Sequence, residues 1–271
     1  LLDMLLPYRR TLDVAADLDL LVGYSPNGAR RNASSGGDSP LGNLVATAVW
    51  LRLGIQTDFS LTNSTGIRAD LNPGPVNTEQ MYNIFPFDNS ISKMQLSGLE
   101  VQDLFDFVAR RSANRGCSSQ VQIAGARVRV NCTSCTRPEF RRKCTQNSDC
   151  DDLRGSCDTT ASECRAACAE QIYIGHSQDT TRSCSTNEDY DGTTCDKTTG
   201  QYLKTCSSDA DCDNLPSSCD KSGGGALGLC LSIIQPTNLY ELATSNYLAT
   251  GSSGYRVLQR NTTQFDTKIQ Q

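Results

Sequence analysis

An α+β fold, with mixed β-sheets flanked by helices and with disulfide-rich insertions, is the fold class that this 271-residue sequence predicts. Apolar runs with strand periodicity alternate with helix-start signals up to residue 131 and return after residue 230. The segment between them has few large apolar residues, so it cannot bury a sizeable core and must be stabilised by cross-links. All 14 cysteines fall between Cys117 and Cys230.

The first two helices follow from local signals. Residues 1–20 carry leucines among charged residues, which predicts a helix, and Pro7 is expected to break it because proline removes a backbone donor. Ser39 is a natural N-cap and Pro40 suits the first helical position, so a second helix begins there. Gly54 is the predicted end of that helix.

Two later helices have similar start signals. Ser97 and Glu100 form the pattern of a capping box, in which each side chain bonds the backbone amide of the other residue. Thr78 is the expected cap of a short helix that runs to Tyr82. Segments rich in glycine, proline, serine or asparagine predict loops and turns at 24–38, 72–75 and 85–89.

Alternation of apolar and polar residues predicts the strands. It is strong in residues 120–131, where the apolar parity switches at Ala124 and Gly125, so a tight turn or a β-bulge is expected there. Other strands are predicted at 59–62, 91–96, 171–175, 240–244 and 256–258.

The composition argues against several classes of function. A net charge of -5 and a pI near 5.0 argue against nucleic-acid binding, which needs a basic surface. No run of about 20 apolar residues is present, so no transmembrane segment is expected. Residues 1–6 are interrupted by Asp3 and lack the flanks of a signal peptide, and we expect a mature chain or a fragment.

The cysteines predict disulfides rather than a zinc site. Zinc sites need histidines or paired cysteines, typically two pairs in which two residues separate the cysteines. Only Cys132 and Cys135 are separated by two residues, and His176 is the sole histidine. Because disulfide-dense segments belong to oxidising compartments, we expect an extracellular, periplasmic or cell-surface location.

An internal repeat lies within the cysteine-rich segment. One unit of four cysteines spans Cys144–Cys164 and a second spans Cys206–Cys230, and their first two spacings are the same. The acidic residues around Cys150 also recur around Cys212. Each unit allows three disulfide pairings, which the sequence does not separate.

A polar turn follows the strand predicted at 59–62. Residues 63–66 end the strand, and Arg68 then provides a guanidinium, which binds carboxylates, phosphates or paired hydroxyls. Gly66 is expected to allow a positive φ or a close approach of a ligand. Such turns are common ligand sites in α/β-type folds, and an ordinary surface turn is the competing interpretation.

Five segments resemble, in their order and in their residues, the C-terminal domain of the 5′-nucleotidase and UDP-sugar hydrolase family. This family contains bacterial periplasmic and animal cell-surface enzymes. The matching segments are Gly37–Leu44, Asn63–Leu71, Pro73–Val76, Phe85–Phe87 and Asn246–Gly251. The resemblance covers residues 5–135 and 231–265 and leaves out most of the cysteine-rich segment. It implies the fold of that C-terminal domain, with the cysteine-rich residues as insertions.

The resemblance implies a site for the nucleoside end of a nucleotide. Two aromatic residues sandwich the base in this family, and they correspond to Phe87 and Tyr247. Stacking of this kind is worth roughly 1–3 kcal/mol per base. Asn63 and Arg68 correspond to residues that contact the base and the ribose. Further candidates in the same loops are Asn89, Asn246 and Ser253.

Three departures from the family pattern bear on binding. Gly37 stands where the family often has arginine, Ser253 where it usually has a ribose-binding aspartate, and Thr65 where it has glycine. The absent arginine and aspartate would each supply a charge-assisted hydrogen bond of roughly 1.5–3 kcal/mol. Arg30 or Arg31 is the expected replacement for the arginine. We expect a substrate that differs from a simple nucleotide, or weaker binding.

Metal chemistry is expected outside this chain. Family members hydrolyse phosphate esters with two divalent metal ions held by an N-terminal metallophosphatase domain, and the resemblance implies that domain as a partner. The chain has one histidine, His176, which we expect at the surface, so no cofactor and no catalytic residue are assigned to it. Residues 187–192 resemble the start of a calcium loop, but Thr198 stands at the twelfth position, where such a loop has a bidentate glutamate. A solvated acidic turn is the preferred interpretation.

The sequence therefore predicts the nucleoside- or nucleotide-binding domain of a secreted or periplasmic 5′-nucleotidase-type hydrolase of nucleotide catabolism, inactive as this chain alone. The alternative is a non-catalytic extracellular binding or adhesion module that uses the cysteine-rich repeats. The predicted organisation is a remnant of an interdomain linker helix at 1–22, the family domain at 23–135 and 231–271, and insertions at 136–230 interrupted by a core strand near 171–175.

Overall fold

The structure, a computed structural model, describes residues 2–15, 17–33, 37–52, 54–184, 195–196, 200–212, 215–216, 218–221 and 227–270. In those ranges the α-helices are Leu2–Ala15 (α1), Pro40–Trp50 (α2), Thr78–Ile84 (α3), Gly98–Ala113 (α4), Asn246–Ala249 (α5) and Arg256–Gln259 (α6). The strands up to residue 124 are Leu21–Ser25 (β1), Phe59–Asn63 (β2), Gly74–Asn77 (β3), Ser90–Ser97 (β4) and Val121–Ala124 (β5).

The later strands are Ala126–Asn131 (β6), Ser156–Asp158 (β7), Glu163–Arg165 (β8), Cys168–His176 (β9), Gln178–Ser183 (β10), Cys195–Asp196 (β11), Gln201–Leu203 (β12), Thr205–Cys206 (β13), Cys219–Asp220 (β14), Gly228–Ile233 (β15), Leu239–Ser245 (β16) and Phe265–Gln270 (β17). The sheets contain both parallel and antiparallel pairs. The α-helices lie before residue 114 and after residue 245, and the described residues between them form strands, 3-10 helices and loops. The predicted α+β fold is confirmed.

The chain forms two compact units. Unit 1 comprises Leu1–Gln95, Phe107–Ala124 and Glu241–Gln271, and unit 2 comprises Leu96–Asp106 and Gly125–Tyr240. The turn predicted between β5 and β6 is confirmed, because the single residue that separates these strands is Gly125, with a φ of +75°. Every residue that the sequence assigns to the candidate site belongs to unit 1.

The large sheet associated with unit 1 has the strand order β17-β4-β16-β2-β5. β16 runs parallel to β2, with Thr244 paired to Leu61, whereas β5 runs antiparallel to β2. Residues Phe59–Thr62 of β2 are all buried, as expected of a central strand that is covered on both faces. An apolar cluster of this unit consists of Val49, Ile55, Ile91 and Ala243.

The predicted helix caps at Ser39 and Ser97 are confirmed. Ser39 is the N-cap of α2, and its hydroxyl accepts a hydrogen bond from the Gly42 amide at 2.9 Å. At the start of α4, the Ser97 amide donates to the Glu100 carboxylate at 2.8 Å, and the Glu100 amide donates to the Ser97 hydroxyl at 3.3 Å. These two bonds close the predicted capping box.

Two predicted interruptions of the first helices are wrong. α1 continues through Pro7, the sixth residue of the helix, so the proline removes one backbone hydrogen bond without ending the helix. The Pro7 carbonyl also accepts a hydrogen bond from the Thr11 hydroxyl at 3.0 Å. α2 ends at Trp50, with Leu51 as its C-cap, and so stops before Gly54.

The short helix α3 begins where expected but has a different cap. Its N-cap is Asn77 rather than Thr78, because the Asn77 side chain accepts a hydrogen bond from the Gln80 amide at 3.0 Å. α3 extends past Tyr82 to Ile84, which is buried. The turn predicted at 72–75 is shorter than expected, because Gly74 and Pro75 belong to β3, which pairs antiparallel with β1.

The last predicted strand is wrong. Residues 256–258 form α6, and β17 is the final strand in the described residues. Three consecutive apolar or long residues fit one helical turn as well as a strand, and in α6 they bury Val257 and Leu258.

Unit 2 contains a sheet of order β13-β15-β9-β6, to which β14 adds through β15. β9 includes the predicted strand 171–175, and Ile172, Tyr173 and Ile174 are buried. His176, at the end of β9, is exposed, as expected from the sequence.

Every cysteine of the described residues is disulfide-bonded, which confirms disulfides over zinc. Six of the bonds are Cys135–Cys168, Cys144–Cys157, Cys150–Cys164, Cys184–Cys195, Cys206–Cys219 and Cys212–Cys230. In both repeat units, named here the first cystine module (Cys144–Cys164) and the second cystine module (Cys206–Cys230), the first cysteine pairs with the third and the second with the fourth.

The calcium-loop-like residues 187–192 lie outside the described residues. In the part of the chain that the structure describes, no helix has both the length and the apolar character needed to cross a membrane.

Candidate functional site

Two loops that carry candidate residues begin at one edge of the large sheet. β2 ends at Asn63 and β16 ends at Ser245, and because these strands are parallel neighbours, their carboxyl ends meet at the same edge. The 63–68 turn and the 246–254 loop both start there. Ligands bind outside the carboxyl ends of strands in many open sheets.

The 63–68 turn is shaped by its own side chains. Ser64–Gly66 form a short 3-10 helix, and Asn63 Nδ2 donates to Thr65 Oγ1 at 3.0 Å. A Cβ on Gly66 would lie 2.9 Å from Asn63 Oδ1, so glycine makes room for the Asn63 amide. Gly66 does not have the positive φ that the sequence left open.

The turn is anchored to neighbouring elements of unit 1. The Arg68 amide donates to the Ile84 carbonyl at 2.9 Å, and the Ser64 amide donates to the Gln120 carbonyl at 3.1 Å. Ile67 is 1% exposed and belongs to an apolar cluster whose other buried members are Leu41, Val45 and Ile84. The backbone of the turn is therefore anchored by hydrogen bonds at Ser64 and at Arg68.

Gln122 joins this turn to the start of α2, a role that the sequence analysis missed. It is 2% exposed; its Oε1 accepts from the Ser39 amide at 3.0 Å, and its Nε2 donates to Ser64 Oγ at 3.0 Å. A Cβ on Gly42 would lie 2.3 Å from the Gln122 side chain, so α2 approaches it closely. The available signal was a long polar residue between two apolar residues of a strand.

Arg31 also supports the turn. Its Nη1 donates to the carbonyls of Ile67 at 3.2 Å and Arg68 at 2.7 Å, and its backbone amide donates to Asp70 Oδ1 at 2.8 Å. The guanidinium is thus engaged with the backbone of the turn. The sequence predicts Arg30 or Arg31 as the replacement for a ligand-binding arginine, and in the structure Arg31 makes these contacts with the backbone of the turn.

A groove that is open to solvent brings three predicted site residues together. Its lining consists of Thr62, Asn63, Gly66, Ile67, Phe85, Phe87 and Asn89. Phe87 is 52% exposed, and the guanidinium carbon of Arg68 lies 5.9 Å from the centre of its ring. This distance is within the range of a cation–π contact, so Arg68 and Phe87 act as one polar and aromatic rim.

The 246–254 loop carries the second predicted aromatic residue. Tyr247 is 43% exposed, and its hydroxyl lies 3.1 Å from Ser253 Oγ. Asn246 Oδ1 is buried and makes no hydrogen bond to any described residue. These three residues are not among those that line the groove, and the contact between Tyr247 and Ser253 lies within the neighbouring loop.

The side chains of residues 63–68 and 246–254 offer amide, hydroxyl, guanidinium and aromatic groups. Within the described residues, the groups of potential metal ligands are Cys144, Cys150 and Cys164, and Cys206, Cys212 and Cys219. All of these cysteines are disulfide-bonded, and metals bind the thiolate form of cysteine, so the groups are adjacent disulfides.

Comparison with known sequences identifies the domain. Residues 18–149 match the family model described as "5′-nucleotidase, C-terminal domain". A Bacillus subtilis endonuclease is 40% identical over 73 residues, which are 27% of this chain and 6% of the endonuclease. A 5′-nucleotidase from Vibrio parahaemolyticus is 33% identical over 90 residues, which are 33% of this chain and 15% of that enzyme. The chain thus spans a small part of the relatives that it matches.

Solved structures share the fold. A 5′-nucleotidase precursor from Thermus thermophilus superposes with a TM-score of 0.58 and 16% identity over 99% of this chain and 37% of its own. The NAD nucleotidase of Haemophilus influenzae gives a TM-score of 0.53 and 16% identity over 99% of this chain and 36% of its own. Residues 18–149 therefore match the C-terminal domain of the 5′-nucleotidase family, and the chain shares its fold with part of two solved nucleotidases.

Proposed function

We propose that this chain binds the nucleoside part of a nucleotide, as the substrate-binding domain of a 5′-nucleotidase-type phosphoester hydrolase. The observation that carries the proposal is the groove in which Asn63, Asn89 and the half-exposed ring of Phe87 lie together, with Arg68 over that ring. An aromatic face beside amides and one cation is the chemistry that a nucleoside requires.

Each group has a distinct part in this proposal. The Phe87 ring stacks on the base, which is worth roughly 1–3 kcal/mol and tolerates different bases. The amides of Asn63 and Asn89 offer both donors and acceptors to the edge of the base. Arg68 binds ribose hydroxyls or a phosphate through its fork of N–H donors.

Tyr247 completes the proposed site as the second aromatic wall. Its loop and the 63–68 turn start from adjacent carboxyl ends of β16 and β2, which supports a role for both loops in one ligand site. Its partial exposure leaves ring surface for a base, and its hydroxyl contact with Ser253 orients the ring.

The setting of the proposed enzyme follows from its disulfides and its relatives. Disulfides persist in oxidising compartments, which supports a secreted or periplasmic protein. Full-length members of the family carry an N-terminal phosphoesterase domain, and we assign the hydrolysis step and its two metal ions to such a domain. The broader role that we propose is nucleotide catabolism.

Titration calorimetry with adenosine, AMP and a UDP-sugar tests the binding proposal. We expect the wild-type chain to bind at least one of them, and Phe87→Ala to weaken that binding by about tenfold, because the stacking contribution is lost. Phe265→Ala is the matched control, since Phe265 is also an exposed phenylalanine of unit 1, at 65%, and lies on β17. Absent binding by the wild type, or equal effects of the two substitutions, contradicts the proposal.

A further inference from the structure

The loop that carries Ser253 rests on one face of α4. Phe107 packs edge-to-face against Tyr255, with ring centres 4.9 Å apart, and a Cβ on Gly254 would lie 3.2 Å from the Phe107 ring. Arg111 lies four residues after Phe107 and so on the same helix face. Its Nη1 donates to the Ser253 carbonyl at 2.6 Å.

Ser253 has an unusual backbone conformation at this contact. Its φ is +58°, in the left-handed region that residues other than glycine enter at a cost. A guanidinium bond to its carbonyl is charge-assisted and therefore stronger than a bond between neutral groups. The bond from Arg111 thus stabilises a conformation that the local sequence does not favour by itself.

The same serine reaches the exposed aromatic residue of the loop. Ser253 Oγ lies 3.1 Å from the Tyr247 hydroxyl. The Tyr247 side chain is 43% exposed, so burial alone does not fix its ring. A continuous series of contacts therefore runs from the Arg111 guanidinium through Ser253 to the end of the Tyr247 ring.

We propose that Arg111 is a positioning residue for ligand binding, which acts through the Ser253 carbonyl and hydroxyl to hold the Tyr247 ring in its binding orientation. The inference rests on the proposed function of Tyr247 as a nucleoside-stacking wall. Arg111 itself needs no contact with the ligand. The Arg111 guanidinium bonds the backbone of the loop. We expect removal of this side chain to leave the groove at Phe87 in place.

A double-mutant cycle on adenosine affinity tests this role. We expect Arg111→Ala and Tyr247→Phe each to weaken binding by about fivefold, and the double variant also by about fivefold rather than about 25-fold, because both changes cut one series of contacts. Arg111→Lys keeps a charged donor and is expected to recover most of the affinity, whereas the neutral Arg111→Gln is not. Equal effects of Arg111→Ala in the two backgrounds overturn the proposal.

Hydrogen exchange provides a readout that needs no ligand. The Gly254 amide donates to the Gly251 carbonyl at 3.1 Å, and we expect its exchange to accelerate at least about tenfold in Arg111→Ala. Arg260→Ala is the control, because Arg260 is an exposed arginine of unit 1 whose Nε donates to the Arg256 carbonyl at 3.3 Å. Unchanged exchange of the Gly254 amide in Arg111→Ala overturns the inference.

The two readouts separate this inference from the proposed function. If the wild type binds no nucleoside but the loop loses protection in Arg111→Ala, the binding function fails and the control of the loop by Arg111 stands. If the wild type binds and Arg111→Ala neither weakens binding nor frees the loop, the positioning role fails while the proposed function stands. Melting temperatures of all variants establish that each one folds.

Discussion

Gln122 hydrogen-bonds with Ser39, 83 residues earlier, and with Ser64, 58 residues earlier. Because a buried amide that loses its partners costs about 1–3 kcal/mol, this side chain ties the start of α2 to the 63–68 turn. Arg31 has a comparable role through the carbonyls of Ile67 and Arg68. The shape of the turn therefore depends on residues that are remote in sequence from it.

Unlike the buried amide of Gln122, the buried hydroxyl of Tyr255 has no hydrogen-bond partner among the described residues. The residue is 1% exposed, and burial raises the pKa of its phenol to about 12. Tyr255→Phe keeps the ring contact with Phe107 and removes the unpaired hydroxyl. We expect the free energy of unfolding at pH 7 to be unchanged or up to about 1 kcal/mol higher in this variant, measured by denaturant unfolding.

The same substitution has a defined pH dependence. Because the folded-state pKa of Tyr255 is raised above the unfolded value of about 10, the stability linked to its proton is complete below pH 10 and is lost as pH rises through 12. We expect the wild type to lose stability more steeply than Tyr255→Phe between about pH 10 and 11.5. Parallel slopes, or a loss of more than about 1 kcal/mol at pH 7, contradict this account of the hydroxyl.

The helices and strands of unit 1 could be predicted where their signals are local. Ser39 and Pro40 marked the start of α2, the Ser97 and Glu100 pair marked α4, and an apolar run marked β2. Where the signal is short or ambiguous, packing decides: the residues of α6 look like a strand in sequence but form one helical turn. Pro7 was misread because α1 continues despite the loss of one backbone hydrogen bond at the proline.

The sequence placed Asn63, Phe87 and Asn89 in neighbouring loops, and in the structure these three residues line one groove. Their role in binding stays a prediction. The supporting residues Arg31, Gln122 and Arg111 were not recognised in their observed roles, since their partners are backbone atoms or side chains far away in sequence. Cystine connectivity was likewise beyond the sequence, which left three pairings open for each module.

The two cystine modules share one connectivity but differ in their surroundings. Cys164 lies on β8, which pairs with β7 in a two-stranded sheet, whereas Cys230 lies on β15 of the large unit 2 sheet. The Cys230 carbonyl accepts from the Ser177 amide at 2.8 Å, and its amide donates to the Lys204 carbonyl at 2.8 Å. The second module is therefore continuous with the sheet that contains β9.

Removal of one disulfide from each module should reveal this difference. The closed loops have similar sequence separations of 14 and 18 residues, so chain entropy alone predicts similar losses of about 3 kcal/mol. We expect replacement of Cys212 and Cys230 by alanine to accelerate hydrogen exchange of the β9 amides, and replacement of Cys150 and Cys164 to leave it nearly unchanged. Equal acceleration in both double variants shows that the modules are equally coupled to β9.

The candidate site residues and the six disulfides named above belong to different units of the chain. The former lie in unit 1 and the latter in unit 2. The described residues contain no group of metal ligands outside the disulfides, and the one histidine is exposed in unit 2. A hydrolytic site with two metal ions about 4 Å apart requires several histidine and carboxylate ligands around one cavity.

We therefore expect the 271-residue chain to bind adenosine or AMP without releasing phosphate from AMP, whether Mg²⁺, Mn²⁺, Co²⁺ or Zn²⁺ is supplied. The measurement is a phosphate assay on the same preparation that is used for calorimetry, with a full-length 5′-nucleotidase as the positive control. The Phe87→Ala variant distinguishes activity of this chain from that of a contaminating phosphatase, because the substitution should leave phosphate release by a contaminant unchanged. Phosphate release that is metal-dependent, stopped by a chelator and reduced in Phe87→Ala shows that this chain supplies both the binding groove and the catalytic groups.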